Sequence, residues 1–142
     1  MNEGRQLATF SLGKLFFGVE VLNVQEVIRF QEMTPVPLAS EEVEGLINLR
    51  GQIVTAIDLR RRLGLPERAA QALPMNVVVT GESGVVSLLV DEIGDVIEVE
   101  DSAFEVPPST LSEEVRRVLK GVYKLNGQLL LVLDIERASD VH

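Results

Sequence analysis

The chain has 142 residues, a net charge of −9 and 46% hydrophobic residues, enough for one domain or for two very small lobes that share a core. It contains no Cys and its single His is the last residue, so disulfides, thiolate metal sites, Cys nucleophiles and an internal His base are excluded. The acids are uneven, with 8 Lys/Arg against 9 Asp/Glu in residues 1–71 and 5 against 13 in residues 72–142, which argues against nucleic acid or an anionic membrane as the partner of the second half.

From the N-terminus, an early Glu3 and the lack of a sustained apolar run give no leader pattern, and Leu129 to Leu133 is far too short to span a bilayer. The expectation is a soluble, cytoplasmic protein. Leu7 to Leu12 (LATFSL) alternates as a strand, Gly13-Lys14 fits a two-residue turn with Gly first, and Leu15 to Val21 returns as the partner. The run continues through Leu22 to Ile28 with too many apolar residues for one half-buried face. This stretch is either covered on both sides or leaves an apolar patch for a partner. Thr34-Pro35-Val36-Pro37 breaks regular structure, and Ser40-Glu41-Glu42-Val43 predicts a capped helical turn.

Gly45 to Leu65 (GLINLRGQIVTAIDLRRRLGL) reads as a hairpin running into a short helix, and it returns as Gly121 to Val141 (GVYKLNGQLLLVLDIERASDV). The copies share Gly45/Gly121, Leu49/Leu125, Gly51/Gly127, Gln52/Gln128, Asp58/Asp134 and Arg61/Arg137. Between them, Asn76 to Thr80 and Val85 to Val90 form a second opening hairpin, Asp95-Val96-Ile97 falls over Glu26-Val27-Ile28, and Ser112-Glu113-Glu114-Val115 echoes Ser40 to Val43. The whole chain is thus a tandem duplication, its second copy about seven residues longer before the hairpin. Many short strands, glycine turns and brief helical pieces point to an all-β fold of two small barrels, with halves of about 7–66 and 75–138 sharing a core.

Asn126-Gly127 is the dipeptide best suited to a tight turn with two left-handed residues, whereas the first copy has Arg50-Gly51 there. Arg in that conformation costs about 1 kcal/mol more than Asn. Either the Arg50 side chain is wanted for something else, or this turn has a geometry in which Arg is unstrained. Asp58 and Asp134 stand where a carboxylate caps the following helix, a better reading than a repeated active site. An enzyme built on Asp58, Asp134 and Glu26 lacks a nucleophile–base pair, and repeat-equivalent aspartates belong in separate lobes. A nucleic-acid barrel built on Arg60, Arg61, Arg62 and Arg68 has five Phe, one Tyr and no Trp for stacking, and the three consecutive arginines, Arg60 to Arg62, read better as a solvated helical face. The acids from Asp91 to Glu105 come without an intervening base, either as a solvated face or to steer a basic partner. No motif asks for a metal or a cofactor.

Four linked motifs carry a resemblance over essentially the full chain: G-V-E-V-L-N-V-Q-E-V-I (Gly18 to Ile28), N-L-R-G-x-I-V-x-x-x-D-L-R (Asn48 to Arg60), L-L-V-D-x-I-x-D-V-I (Leu88 to Ile97) and K-G-V-Y-K-L-N-G-Q-L-L-L-V-L-D-I (Lys120 to Ile135). In this the chain resembles the CheW family of bacterial chemotaxis coupling proteins. The resemblance implies paired five-stranded barrels with strands exchanged between the halves. It also implies a non-catalytic scaffold joining the cytoplasmic tips of chemoreceptors to the histidine kinase CheA at membrane-associated arrays, with surface motility or gene expression as alternative outputs. By the same resemblance Glu26 and Arg50 are functionally sensitive and can pair. Val24, Glu26, Val27, Ile28, Leu46, Asn48 and Arg50 are expected to border a groove for a receptor helical hairpin. Val90, Ile93, Val96 and Ile97 are expected near the surface for the CheA regulatory domain, core burial being the alternative.

Overall fold

The computed structural model describes residues 4–69 and 71–141. Among them the chain runs through eleven strands and three short helices. Strands β1 (Gly4–Leu12) and β2 (Leu15–Glu20) turn at Gly13-Lys14 as predicted, with Leu12 opposite Leu15. A 3-10 turn over 21–23 leads to β3 (Val24–Ile28), followed after an irregular stretch by the hairpin β4 (Val43–Leu49) and β5 (Gln52–Asp58) and the one-turn helix α1 (Leu59–Arg62). The second copy repeats this order as β6 (Met75–Gly81), β7 (Gly84–Val90), β8 (Glu92–Glu100), the short β9 (Phe104–Glu105), α2 (Glu113–Arg117), β10 (Leu119–Leu125), β11 (Gln128–Leu133) and α3 (Ile135–Ser139).

The strands form two barrel-like sheets, ordered β8-β1-β2-β11-β10-β9 and β3-β6-β7-β5-β4. Each opening hairpin has therefore crossed over: β1–β2 joins the later strands of the second copy, and β6–β7 joins those of the first. The junctions are parallel and repeat-equivalent, β2 against β11 (Phe17 opposite Leu131) and β7 against β5 (Val86 opposite Thr55). The main core draws on both sheets, with Phe10, Phe17, Leu131 and Leu133 from one and Ile57, Val77, Leu88 and Val90 from the other. Leu59, Val115 and Ile135 seal it from the three helices. Burying each such side chain contributes roughly 1.5–3 kcal/mol, so neither half keeps a full core without the other.

Charge stitches the exchange together. Asp91, at the joint between β7 and β8, accepts hydrogen bonds from Arg60 Nε (2.9 Å), Arg68 Nε (2.9 Å) and the Gly13 backbone N–H (2.8 Å). Partial burial opposes ionisation of Asp91, but these donors outweigh it and hold the carboxyl well below the ordinary carboxylate range. Arg62 donates to the Ala138 and Arg137 carbonyls of the second copy. The arginines expected as a solvated face are thus largely engaged across the halves, and Asp91, the first residue of the acidic run, is neutralised rather than free to attract a partner.

Two further expectations change. Ser40 to Val43 forms no helical turn: Val43 N–H reaches the Ser40 carbonyl (3.1 Å) and β4 begins at once, whereas Ser112 caps α2 by accepting from Val115 N–H (3.2 Å). The longer spacing before the second hairpin gives the helix room. In the hairpin turns the predicted geometry belongs to the other copy. Arg50 (φ 53°) and Gly51 (φ 86°) are both left-handed, while at Asn126-Gly127 only the glycine is. The first turn is held by Asn48 Oδ1, which accepts from Gly51 N–H (2.9 Å), and Lys124 occupies the matching position in the second.

Candidate functional site

β3 and β4 are the two edges of one sheet, and the sheet curls until they approach each other. Just past β3, Thr34 pairs with Leu46 of β4 through two backbone hydrogen bonds (2.9 and 2.8 Å). A side chain on Gly45 would strike the Thr34 carbonyl at 2.8 Å and Met33 Cβ at 2.9 Å, so only glycine admits this crossing. Gly121 does the same against Phe104 and Glu105, where β9 pairs with β10 through Glu105 and Val122. The repeated glycine is thereby explained. Buried Asn76 fixes the exit of β3, donating to the Arg29 carbonyl (3.1 Å) while its Oδ1 accepts from Ser87 Oγ (2.8 Å).

Across this seam Arg50 donates to both carboxylate oxygens of Glu26, at 3.2 and 3.4 Å. The pair joins β3 to the turn after β4, and Arg50 keeps 83% of its side chain in solvent. A strained, exposed arginine aimed at a carboxylate on the opposite edge forms a surface element with little structural work to do.

Around the pair, Val27 and Asn48 are exposed, while Val24, Ile28 and Leu46 are half-buried, Val24 against the main core. Ile53, 61% exposed and directly opposite Asn48 in the hairpin, extends the apolar border. Sequence reasoning passed over it although Ile53-Val54 offered a signal: in a strand, two adjacent apolar residues face opposite ways, and Val54 is the buried one. Phe30 and Leu38 are also exposed, Leu38 at a left-handed φ of 67° between Pro37 and Ala39. Nothing in the sequence pattern marked them.

In the second half the four residues expected at the kinase-facing surface separate. Val90 is a correction: paired with Met75 and 0% exposed, it belongs to the main core and offers no side-chain surface. It ends a strand covered on both sides, where an unbroken apolar run is the signature of burial. Ile97 lies opposite Leu7 and packs, half-buried, on the smaller cluster of Leu7, Val99, Tyr123, Leu130 and Val132. Ile93 and Val96 are exposed. A bulge sets Ile93 opposite Phe10 and Val96 opposite Ala8, one residue more on β8 than on β1, so the two share a face despite their spacing of three.

Asp58 Oδ1 accepts from Arg60 N–H (3.0 Å) at the end of β5, and Asp134 Oδ1 from Arg137 N–H (3.2 Å) just after β11, in the other sheet. They act as caps. Glu26 is held instead by Arg50.

Comparison with known proteins agrees with this architecture. Residues 6–141 match the model of the CheW-like domain. The chain is 31% identical over 140 residues to the chemotaxis protein CheW of Treponema pallidum, covering 96% of this chain and 82% of that protein. It is 32% identical over 137 residues to CheW of Rhizobium meliloti, covering 95% and 87%. The crystal structure of the scaffolding protein TtCheW from Thermoanaerobacter tengcongensis superposes with a TM-score of 0.86 at 26% identity, over 99% of this chain and 90% of that one. With a family match over residues 6–141 and relatives 31% and 32% identical along nearly its whole length, the chain belongs to the CheW-like family.

Proposed function

We propose that this protein is a non-catalytic adaptor that couples chemoreceptors to the histidine kinase CheA in a chemotaxis-type array. It would work in the cytoplasm beside the membrane; no helix of the described residues is long and apolar enough to cross one. The observation that carries the reading is the Glu26–Arg50 pair, in which a largely covered carboxylate holds an exposed, strained Arg50, bordered by Val27, Ile28, Leu46, Asn48 and Ile53. This border suits the apolar face of a receptor helical hairpin, with the ion pair setting its register. The exposed side chains of Ile93 and Val96 on β8 are assigned to the kinase regulatory domain. On this reading the halves of about 7–66 and 75–138 act as one unit, because their shared core keeps the two surfaces at a constant spacing.

The test is a titration of the protein against a receptor cytoplasmic tip and, separately, against the CheA regulatory domain of the same organism. Saturable binding to both, with Glu26→Ala and Arg50→Ala weakening only the receptor arm, is the expected result. Absence of binding to either partner would remove the adaptor role while leaving the fold intact.

A further inference from the structure

Strand β8 is the outer strand of its sheet, and β1 is its one hydrogen-bonded strand neighbour among the described residues. Its other edge therefore presents a row of backbone N–H and C=O groups available to an added strand. Beyond the bulge, Val96, Glu98 and Glu100 alternate on the face they share with Ile93, opposite Ala8, Gln6 and Gly4 of β1. One face of this edge thus reads apolar, apolar, acidic, acidic along the strand. Glu92 and Asp95 add two further carboxylates, and no Lys or Arg occurs between Asp91 and Glu105. The guanidinium nearest in register, Arg5 opposite Val99, is taken by Glu20 and Asp101.

Charge decides which strand fits. A second copy would bring the same acids and a net charge of −9, and like charges facing each other across a strand pair disfavour it. We propose that the free edge of β8 accepts an extended, basic segment of a partner protein as an additional strand. That segment places apolar side chains opposite Ile93 and Val96 and Lys or Arg opposite Glu98 and Glu100. The inference rests on the assignment of Ile93 and Val96 to the kinase-facing surface and adds the recognition mode and charge of the docking segment.

The probe is a capped peptide, Lys-Thr-Lys-Thr-Val-Thr-Val, titrated by fluorescence anisotropy against the full chain, with a Glu-for-Lys peptide and a peptide N-methylated at alternate residues as controls. The expected result is saturable binding of the Lys peptide and slowed amide exchange over residues 93–100. The Glu peptide, the N-methylated peptide and the Glu98→Lys/Glu100→Lys variant should each bind about tenfold or more weakly, and salt should weaken the Lys peptide. In parallel the kinase regulatory domain is titrated against Ile93→Ala, Val96→Ala and the charge-reversed variant, each checked for a native circular dichroism spectrum. If the alanine variants lose kinase binding while charge reversal, salt and the peptide have no effect, strand addition is overturned and the kinase surface survives. If the peptide binds as expected while the alanine variants retain full kinase affinity, strand addition stands and the kinase assignment falls. Failure of both arms removes both.

Discussion

Asp91 sits between Arg60 and Arg68 with all three side chains less than one-fifth exposed, whereas Glu26, as covered as Asp91, meets at 3.2 Å an arginine, Arg50, with 83% of its side chain in solvent. The first site joins two halves of a duplicated chain where their strands cross over. The second spans two edges of one sheet on an open surface. The same chemical pair therefore serves different ends, because solvent screening rather than pair geometry decides how much of the attraction becomes stability. Removing one partner from the partly buried site leaves guanidinium groups short of water and of charge, while the exposed pair is worth about 0–1 kcal/mol.

The strongest challenge to this contrast is Asp91→Ala, expected to cost about 2–4 kcal/mol in urea unfolding. A loss below about 1 kcal/mol would put Asp91 in the same class as the exposed pair. The contrast also has a pH signature. The folded state holds the Asp91 carboxyl below its unfolded value of about 3.8, so its contribution is present in full above that value and disappears as pH falls through the folded pKa. Stability of the unaltered protein should therefore drop more steeply on acidification below about pH 4 than that of Asp91→Asn, measured by urea titration at each pH. Parallel curves would mean that Asp91 is not the group responsible.

At the exposed site the effect should appear in binding instead. Arg50→Glu is expected to weaken receptor-tip binding about tenfold while changing unfolding free energy by no more than about 1 kcal/mol, and adding Glu26→Arg should restore part of the affinity. A large stability loss would make this pair structural as well. The smallest expected effect is at the turn: Arg50→Gly relieves the left-handed strain and should raise stability by about 0.5 kcal/mol while weakening receptor binding. A destabilised variant would show that the Glu26 contact outweighs the strain.

Local chemistry was legible in the chain. The repeat, the Gly13-Lys14 turn, the capping roles of Asp58 and Asp134 and a charged residue at a demanding turn all depend on neighbours within a few positions, where residue type and spacing carry the information. Family resemblance pointed to Glu26 with Arg50, separated by 24 positions, which no periodicity would have joined. Burial was harder to read. Val90 and Val96 are both valines near one acidic run, yet one lies in the core and the other on an open edge, because a sheet's neighbours decide which faces are covered. Arg60 and Arg62 after β5 looked solvated for the same reason: they reach acceptors in the other copy, at Asp91 and in α3.

The sequence by itself determined that the chain is a duplicated all-β protein, where its glycine turns fall and that Asp58 and Asp134 act as caps, since those follow from short-range stereochemistry. Only the tertiary structure decided which strands the exchanged hairpins join, that Asp91 bridges the halves and that β8 is left as an outer strand. Each of these depends on strand pairings between residues far apart in the chain, and an alternating apolar pattern specifies that a strand has a buried face without specifying which strand lies beside it.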